Sequence, residues 1–425
     1  MALKFLHAAD IHLGRPFSGL SRSSPVLGKL FRDAGYAVWN RIVKTAVDRK
    51  VDFVTLGGDI FDGGNPTIRS RVLFREGVEQ LRAAGIPVFM VLGNHDPLIS
   101  FPASLRELPG LHVFGADPQS LPVDCAEFTA GVMVYGASFS KAVVTENLAR
   151  RFCRDKGMDL AVGILHTNVA GEWGHQNYAP CTSEDLKNAG MDVWCLGHVH
   201  SPVVLNEHPL IFYPGTAQAA HFNETGRRGF CIVTVDSGPQ VEYLHLAPVR
   251  WEKMDLDVTH AASADDVLCL VEDMCSGFAS EQDHLQAVVV RIVLVGKNSI
   301  SDMQAITLDD DFRDVLAERL SMLSVPVFCE SVCDSTQSKI DLNALTSEEG
   351  FLAEYVKLCR KAIEDPKLKH EILDAAHTRL SRNLGRRFFD NTFDPAHMKG
   401  NQEAAAQLLN HSAELVARMF LERSE

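Results

Sequence analysis

Five times in the first half of this chain, a short apolar run breaks off into a motif built from Asp, His, Asn and Gly. The motifs are Asp10-Ile11-His12, Gly58-Asp59, Gly93-Asn94-His95-Asp96, His166 and Gly197-His198-Val199-His200. The apolar runs before them, Lys4–Ala8, Phe53–Leu56, Val88–Leu92, Leu160–Leu165 and Val193–Leu196, have the length and composition of buried strands. Between the first three lie amphipathic stretches, Leu27–Val47 and Ile68–Ala84, that read as helices. Strands separated by helices predict an α/β fold. In such sheets functional groups gather beyond the carboxyl ends of the strands, so all five motifs can meet on one rim. Further strands at Val132–Val134, Leu210–Tyr213, Phe230–Val235 and Val241–Leu246, close together and joined by short turns, predict a second sheet packed on the first.

The spacing inside the motifs carries chemistry. Residues two apart on an extended chain point to the same side, so Asp10 and His12 can grip one metal ion, and His198 and His200 can serve two neighbouring ions. Glycines at 57, 58, 93 and 197 let the backbone turn tightly beside such ions. A mixed oxygen and imidazole set suits Mn, Zn, Fe or Co better than Mg or Ca. The polar residues of Gly-Asn-His-Asp have no packing reason to follow a strand, which makes that motif the most telling of the five.

The remainder of the chain has a different texture. From Val249 the pattern becomes β-α-β-α-β over Trp251–Val258, Ala264–Ser276, Leu285–Val295, Asp311–Leu323 and Pro326–Cys333. From Ser347 it is helical, with candidates at Phe351–Ile363, Leu368–Leu380 and Gln402–Glu422. The expected organisation is a two-sheet α/β sandwich over residues 1–248, a small α+β capping domain over 249–340 and a helical C-terminal region over 341–425. No run approaches the roughly 20 apolar residues that span a bilayer, and the N-terminus lacks a secretion-type leader. The 10 cysteines form no Cys-x-x-Cys pair, which suits reduced thiols in the cytoplasm, with Cys195 in an apolar stretch as a small core residue. A net charge of −14 counts against nucleic-acid binding in general, although a local basic patch or bound cations can still attract phosphate.

Taken in order, Asp-Ile-His, Gly-Gly-Asp-Ile-Phe-Asp, Gly-Asn-His-Asp, His166-Thr167 and Gly-His-Val-His resemble the calcineurin-like metallophosphoesterase superfamily across about Leu3 to Leu246. Within it the chain is most similar to SbcD-type DNA-repair exonucleases, particularly the YhaO-like branch. The third motif ends in Asp96 where phosphoprotein phosphatases carry Glu, and Gly63 follows Asp62 where they place an arginine. Tyr213-Pro214-Gly215-Thr216, continuing to His221-Phe222-Asn223-Glu224-Thr225-Gly226, also resembles a segment of the nuclease subunits. The resemblance implies one metal on Asp10, His12 and His200, a second on Asn94, His166 and His198, and Asp59 bridging them. It implies that a hydroxide shared by the metals attacks phosphorus and that His95, free of metal, stabilises or protonates the leaving oxygen. Asp96 is assigned to orient His95, and Asp62 receives no role. Two divalent ions less two carboxylates and a hydroxide leave a net positive site, which attracts an anionic diester.

The expected substrate is DNA. The capping segment stands where the nuclease subunits contact DNA, and Arg69, Arg71 and Arg75 on the second helix, with Arg227 and Arg228 in a turn, are candidate phosphate contacts. The helices after the cap stand where such subunits hold an SMC-like ABC ATPase. Gln402–Glu422 carries an apolar stripe of Ala406, Leu409, Ala413, Val416 and Phe420, suited either to a partner's groove or to its own domain. Arg379, Arg382, Arg386 and Arg387 surround Phe388 and Phe389 before it. The resemblance also suggests a homodimer. The competing readings are a phosphatase or cyclic-nucleotide diesterase on the same metals, and a scaffold subunit whose metal site has decayed; the complete ligand set argues against the latter.

Overall fold

The structure, a computed structural model, describes residues 2–15, 25–63, 65–124, 131–171, 178–280, 284–298, 300, 303–338, 342–347, 349–372, 374–375 and 402–421. Twelve strands build its first half: β1 (Leu3–Ala8), β2 (Phe53–Gly57), β3 (Val88–Val91), β4 (Leu111–Val113), β5 (Gln119–Val123), β6 (Val132–Ala137), β7 (Leu160–His166), β8 (Val193–Gly197), β9 (Val203–Glu207), β10 (Leu210–Tyr213), β11 (Phe230–Val235) and β12 (Pro239–Leu244). They form two six-stranded sheets, ordered β12-β11-β1-β2-β3-β4 and β5-β6-β7-β8-β10-β9. The run β1 to β4 is parallel, as is the run β6-β7-β8-β10, with antiparallel strands outside them. The parallel runs place the carboxyl ends of β1, β2 and β3 on one edge, and those of β7 and β8 on one edge of the second sheet.

Strict alternation explains why the sheets stack. Phe5 and Phe53 on one face of the first sheet stack at 4.6 Å and pack with Val162, Ile164, Val193 and Phe212 of the second. The intervening residues Leu6, Ala8, Val54, Leu56 and Met90 face the other way, onto Trp39, Ile42, Phe74 and Val78. Those four lie on α1 (Pro25–Asp48) and α2 (Ile68–Ala83). The outer face of the second sheet buries Ala161, Leu165, Trp194 and Ile211. The central strands are thus covered on both sides, and each large apolar side chain contributes roughly 1.5–3 kcal/mol by leaving water. One buried polar group crosses the interface: His7 of β1 lies 2.9 Å from Thr55 Oγ1 and 3.1 Å from the carbonyl of Leu196 on β8.

The α1–α2 contact depends on a missing side chain. Trp39 stacks on Phe74 at 5.1 Å and donates its indole N–H to the Leu73 carbonyl at 2.9 Å. A Cβ on Gly77 would stand 2.4 Å from that indole nitrogen, so only glycine lets the helices approach.

Beyond the sandwich, Val249–Asp257, Ala287–Val295 and Val327–Asp334 form a three-stranded sheet in that order, with helices Ala264–Ser276 and Asp310–Ser321 between them in the chain. By internal contacts the chain separates into one unit of Met1–Met254, Glu272–Ile292 and Val315–Ser331, and another of Asp255–Val271, Val293–Asp314 and Val332–Glu425. In the first unit, Trp251, Ala287 and Val289 bury against Phe31, Ala219, Ala220 and Phe222. In the second, helices Phe351–Glu364 and Gln402–Leu421 pack together, and Tyr355 Oη lies 2.8 Å from Ser412 Oγ. Leu409 and Ala413 of the apolar stripe are buried there, together with Ala417, Ala406 and Val416 are half-buried, and Phe420 stays exposed beside Phe351. Residues 373 and 376–380 of the helix expected at Leu368–Leu380, Glu422, and the group Arg379, Arg382, Arg386, Arg387, Phe388 and Phe389 lie outside the described residues. Among the described residues no helix is long and apolar enough to cross a membrane.

Candidate metal centre

All five motifs sit on turns just past, or at the last residue of, the parallel strands. Asp10 and His12 leave β1, and their backbone amides donate to the carbonyls of Gly58 (3.1 Å) and Asp59 (3.0 Å) on the neighbouring turn from β2. Asn94, His95 and Asp96 follow β3, His166 ends β7, and His198 and His200 follow β8. The turns are strained where they carry the motif residues. Of the seven non-glycine residues with positive φ among the described residues, four are Asp10 (50°), His12 (48°), Asp59 (52°) and His198 (100°). They also touch closely: a Cβ on Gly93 would stand 2.3 Å from Asp59 Oδ1, and one on Gly197 would stand 2.1 Å from the Gly57 carbonyl.

Among the described residues the side chains converge into three overlapping groups, one of them being His12, Asp62 and His95. Donor atoms of Asp10, His12 and His200 all lie within 4.8 Å of one another, and so do those of Asp10, Asp59 and His166. Asp10 belongs to both of these groups, and Asp59 to the second of them. Asn94 Oδ1 lies 3.1 Å from His166 Nε2, which is 3.6 Å from Asp59 Oδ2. The His198 ring stands 5.1 Å from that of His166, centroid to centroid, and its backbone N–H donates to Asp10 at 3.0 Å.

The outer ring nitrogens determine which nitrogens point inward. His166 Nδ1 faces the Gly57 carbonyl at 2.9 Å, so it carries the proton and Nε2 presents a lone pair to the centre. His200 Nδ1 donates to Glu224 Oε1 at 2.6 Å, leaving Nε2 3.4 Å from His12 Nε2 and 3.7 Å from Asp10 Oδ1. Lone pairs and carboxylate oxygens aimed at one point are the arrangement a cation resolves.

The electrostatics agree. Burial pushes the carboxyl of Asp10 up to about 8 and that of Asp59 up to about 6. Burial and the charge of Asp59 push Asp96 up to about 7. Burial holds His166 down to about 3, and His12 well below the ordinary histidine value. Burial also works against a charge on His200, yet its hydrogen bond to Glu224 and the nearby Asp10 raise its pKa; a cation at Nε2 competes with that proton. Buried carboxylates and neutral imidazoles together fit two divalent cations in both charge and donor type.

Three readings of single residues change. Asp96 is expected to orient His95. Its carboxylate instead accepts from the backbone N–H groups of Gly93 (2.9 Å), Ile60 (2.7 Å), Asp59 (3.2 Å) and Phe61 (3.3 Å), tying the β2 and β3 turns together. The carboxylate beside the His95 ring is that of Asp62, whose Oδ1 lies 3.4 Å from His95 Nδ1 and 3.5 Å from His12 Nδ1. Arg228 is 7% exposed, and its guanidinium donates to the carbonyls of His200 (2.6 Å), Thr225 (2.7 Å) and Glu224 (3.2 Å), so it is a structural strut and not a phosphate contact. Arg227 beside it is exposed. Of the α2 arginines, Arg69 pairs with Asp33 at 2.9 Å and covers the Tyr36 ring, Arg71 is half-buried and Arg75 is exposed. His95 itself has a side chain 40% exposed at the rim, its backbone N–H bound to Asp59 Oδ1 at 2.9 Å.

Comparison with known proteins points the same way. Residues 3–202 match the calcineurin-like phosphoesterase family. The chain is 33% identical over 359 residues to the uncharacterized metallophosphoesterase YhaO of Bacillus subtilis, covering 83% of this chain and 86% of that one. It is 25% identical over 279 residues to the DNA double-strand break repair protein Mre11 of Methanopyrus kandleri, covering 59% of this chain and 58% of the other, less than two thirds of its length. A subunit of the nuclease SbcCD of Bacillus subtilis is 27% identical over 281 residues, 56% of this chain and 68% of that protein.

Proposed function

Because the chain belongs to the calcineurin-like phosphoesterase family, we propose that it is a dinuclear-metal phosphodiesterase whose substrate is DNA, and that it acts as an exonuclease in DNA repair. The observation that carries this reading is the convergence of Asp10, His12, Asp59, His166 and His200 on one edge, with an accessible His95 beside them.

Asp10, His12 and His200 would hold one cation and Asn94, His166 and His198 the other, with Asp59 serving both. The cations, Mn first and Zn, Fe or Co as alternatives, would activate water near neutral pH and offset charge building on the phosphoryl oxygens. His95 supplies what the cations do not. Asp62 Oδ1 beside His95 Nδ1 orients the ring, and Nε2, 4.0 Å from Asp59 Oδ2, faces the centre, where it would stabilise the departing oxygen or, in the doubly protonated ring, give it a proton. Asp96 acts one step removed, by fixing the turn from which His95 projects.

The relatives' names, a DNA double-strand break repair protein and a nuclease subunit, support DNA as the substrate. Arg71, Arg75 and Arg227, with Arg69 if it exchanges Asp33 for phosphate, are the phosphate contacts of this reading. The subunit name supports a partner protein, which this reading takes to be an SMC-like ATPase from the family resemblance. Phe351, Leu358, Leu415 and Phe420, exposed on the C-terminal helices, are the apolar side chains it would cover. A homodimer through the sandwich domain, with cap and C-terminal regions beginning near residues 249 and 341, belongs to the same reading.

The test is Mn-dependent digestion of end-labelled linear and circular DNA, with a diester dye and a monoester dye alongside. The reading expects release from ends, diester turnover above monoester turnover, and loss of both DNA and diester cleavage in His95→Ala with metal content kept. Preference for the monoester would point to a phosphatase, and no cleavage of any nucleic acid, even with the ATPase present, to a scaffold.

A further inference from the structure

Glu224 is a heavily used carboxylate outside the five motifs. It is 3% exposed, although it lies in a turn rather than a strand. One oxygen, Oε1, receives the His200 Nδ1–H at 2.6 Å and has His221 Nε2 at 3.3 Å and Arg15 Nη1 at 3.5 Å. The other, Oε2, receives the backbone N–H of Ala220 at 2.8 Å. The same stretch of chain grips the neighbouring backbone: Thr216 N–H donates to the His200 carbonyl at 3.0 Å, Thr216 Oγ1 donates to the Asp10 carbonyl at 2.8 Å, and Arg228 caps the His200 carbonyl from its other side. Residues 216–228 therefore hold the backbone of two residues in the first donor group, and Glu224 bonds the ring of one of them, His200. The residues that belong to the second group alone are held from elsewhere: His166 by the Gly57 carbonyl, and the Asp59 turn by Asp96.

We infer that Glu224 is a positioning residue that fixes the protonated nitrogen of His200, keeps Nε2 turned inward, and so controls occupancy of the cation position formed by Asp10, His12 and His200 without controlling the other. This rests on the dinuclear reading above. A carboxylate satisfies both of its donors, His200 and Ala220, at once. A glutamine in its place accepts one of them and presents an N–H to the other, so the ring loses its fixed orientation while the side-chain volume is kept.

The experiment is Mn titration by calorimetry, with metal content measured after gel filtration and thermal unfolding in chelator, on the full chain, Glu224→Gln and Glu224→Ala. The expected result is two Mn per chain in the parent, and in both variants one site unchanged and one weakened by about 10- to 100-fold, with unfolding in chelator little altered. Fewer than two Mn in the parent overturns the dinuclear reading itself. Two Mn in the parent and two at unchanged affinity in the variants overturns the role of Glu224 and leaves that reading standing. Joint loss of both sites, or a Glu224→Gln chain that does not fold, also overturns it, since Glu224 would then serve the fold as a whole. Glu224→Gln decides the matter if only Glu224→Ala fails to fold.

Discussion

Gly93→Ala isolates the packing of the two central turns. Gly93 is not in the left-handed region, so an alanine meets no backbone penalty there. The cost is purely steric: the new methyl would stand 2.3 Å from Asp59 Oδ1, 2.8 Å from His166 Cε1 and 2.9 Å from His166 Nδ1. Restoring ordinary contact moves the Asp59 carboxylate by about 1 Å, and a displacement of that size at a reacting centre costs on the order of 10²-fold in rate. Overpacking adds about 1–3 kcal/mol of destabilisation, partly offset by the roughly 0.4–1 kcal/mol that alanine gains through the unfolded chain. The assay is diester-dye hydrolysis at saturating Mn, with metal content and urea unfolding on the same preparation. Gly35→Ala is the control, because its methyl meets nothing within 4 Å inside α1; it should be stabilised by about 0.5–1 kcal/mol with full activity. A Gly93→Ala protein that holds two Mn at the parent's affinity and keeps its rate would refute the claim that these turns are packed to position Asp59 and His166.

The other predictions follow from the same geometry. Asp59→Ala removes a donor that also holds the His95 backbone N–H at 2.9 Å, so metal binding should weaken by more than about 100-fold, above the usual cost of losing an outer partner, and dialysis should strip both ions. Metal removal should destabilise the parent: at 100 times the dissociation constant each ion contributes about 2.7 kcal/mol, so chelation should lower Tm on the order of 5–10 °C, while Asp59→Ala shows almost no response. His7 titrates against the fold. Burial pushes its pKa down to about 4, so the folded chain keeps the ring neutral while the unfolded chain protonates it near the ordinary histidine value. Its contribution is therefore complete above that ordinary value and is lost as pH falls toward about 4, a loss of about 3 kcal/mol across the window. His7→Gln should flatten that slope in urea unfolding measured with chelator present, and an unchanged slope would assign the acid sensitivity to other groups.

How much of this was legible in the sequence depends on what surrounds each residue. Strands buried on both faces announce themselves as apolar runs, and β1, β2, β3, β7 and β8, which carry the motifs, are all of that kind. The strands that composition does not reveal, β4, β5 and β9, all lie at sheet edges, where one side needs no apolar cover. Pro122 within β5 hides it further, since proline is tolerated only at such an edge. At the centre, residue type located the donors because few other reasons place Asn, His and Asp after a strand. Aim was not legible. Asp62 and Asp96 flank the same histidine motifs, and only the folded turns show that one faces the His95 ring and the other four backbone amides. Arg227 and Arg228 differ by one position, yet one faces water and the other is buried behind His200. Glu224 meets a histidine 24 residues earlier in the chain, and no local pattern encodes such a contact. Its one sequence signal is its place in the segment from His221 to Gly226 that resembles the nuclease subunits.

The strain and the charge at this centre have one explanation. Asp10, His12, Asp59 and His198 hold positive φ, each at a cost on the order of 1 kcal/mol or more. Asp10, Asp59 and Asp96 are buried where burial opposes their charge. Sequences that serve stability alone do not place carboxylates beside one another in a dry core and then bend the backbone to aim them inward. Asp96 shows how the fold copes without a cation: four backbone N–H groups solvate it. Asp59 has one such group, from His95, and Asp10 has the N–H of His198. The under-solvated carboxylates are thus the two that stand within donor distance of His12, His166 and His200, and the free energy missing there is what divalent cations supply on binding. It follows that cation binding and the stability of these turns are one equilibrium, and that substitutions relaxing a turn, such as Asp10→Gly, should stabilise the chelated protein while weakening its hold on metal.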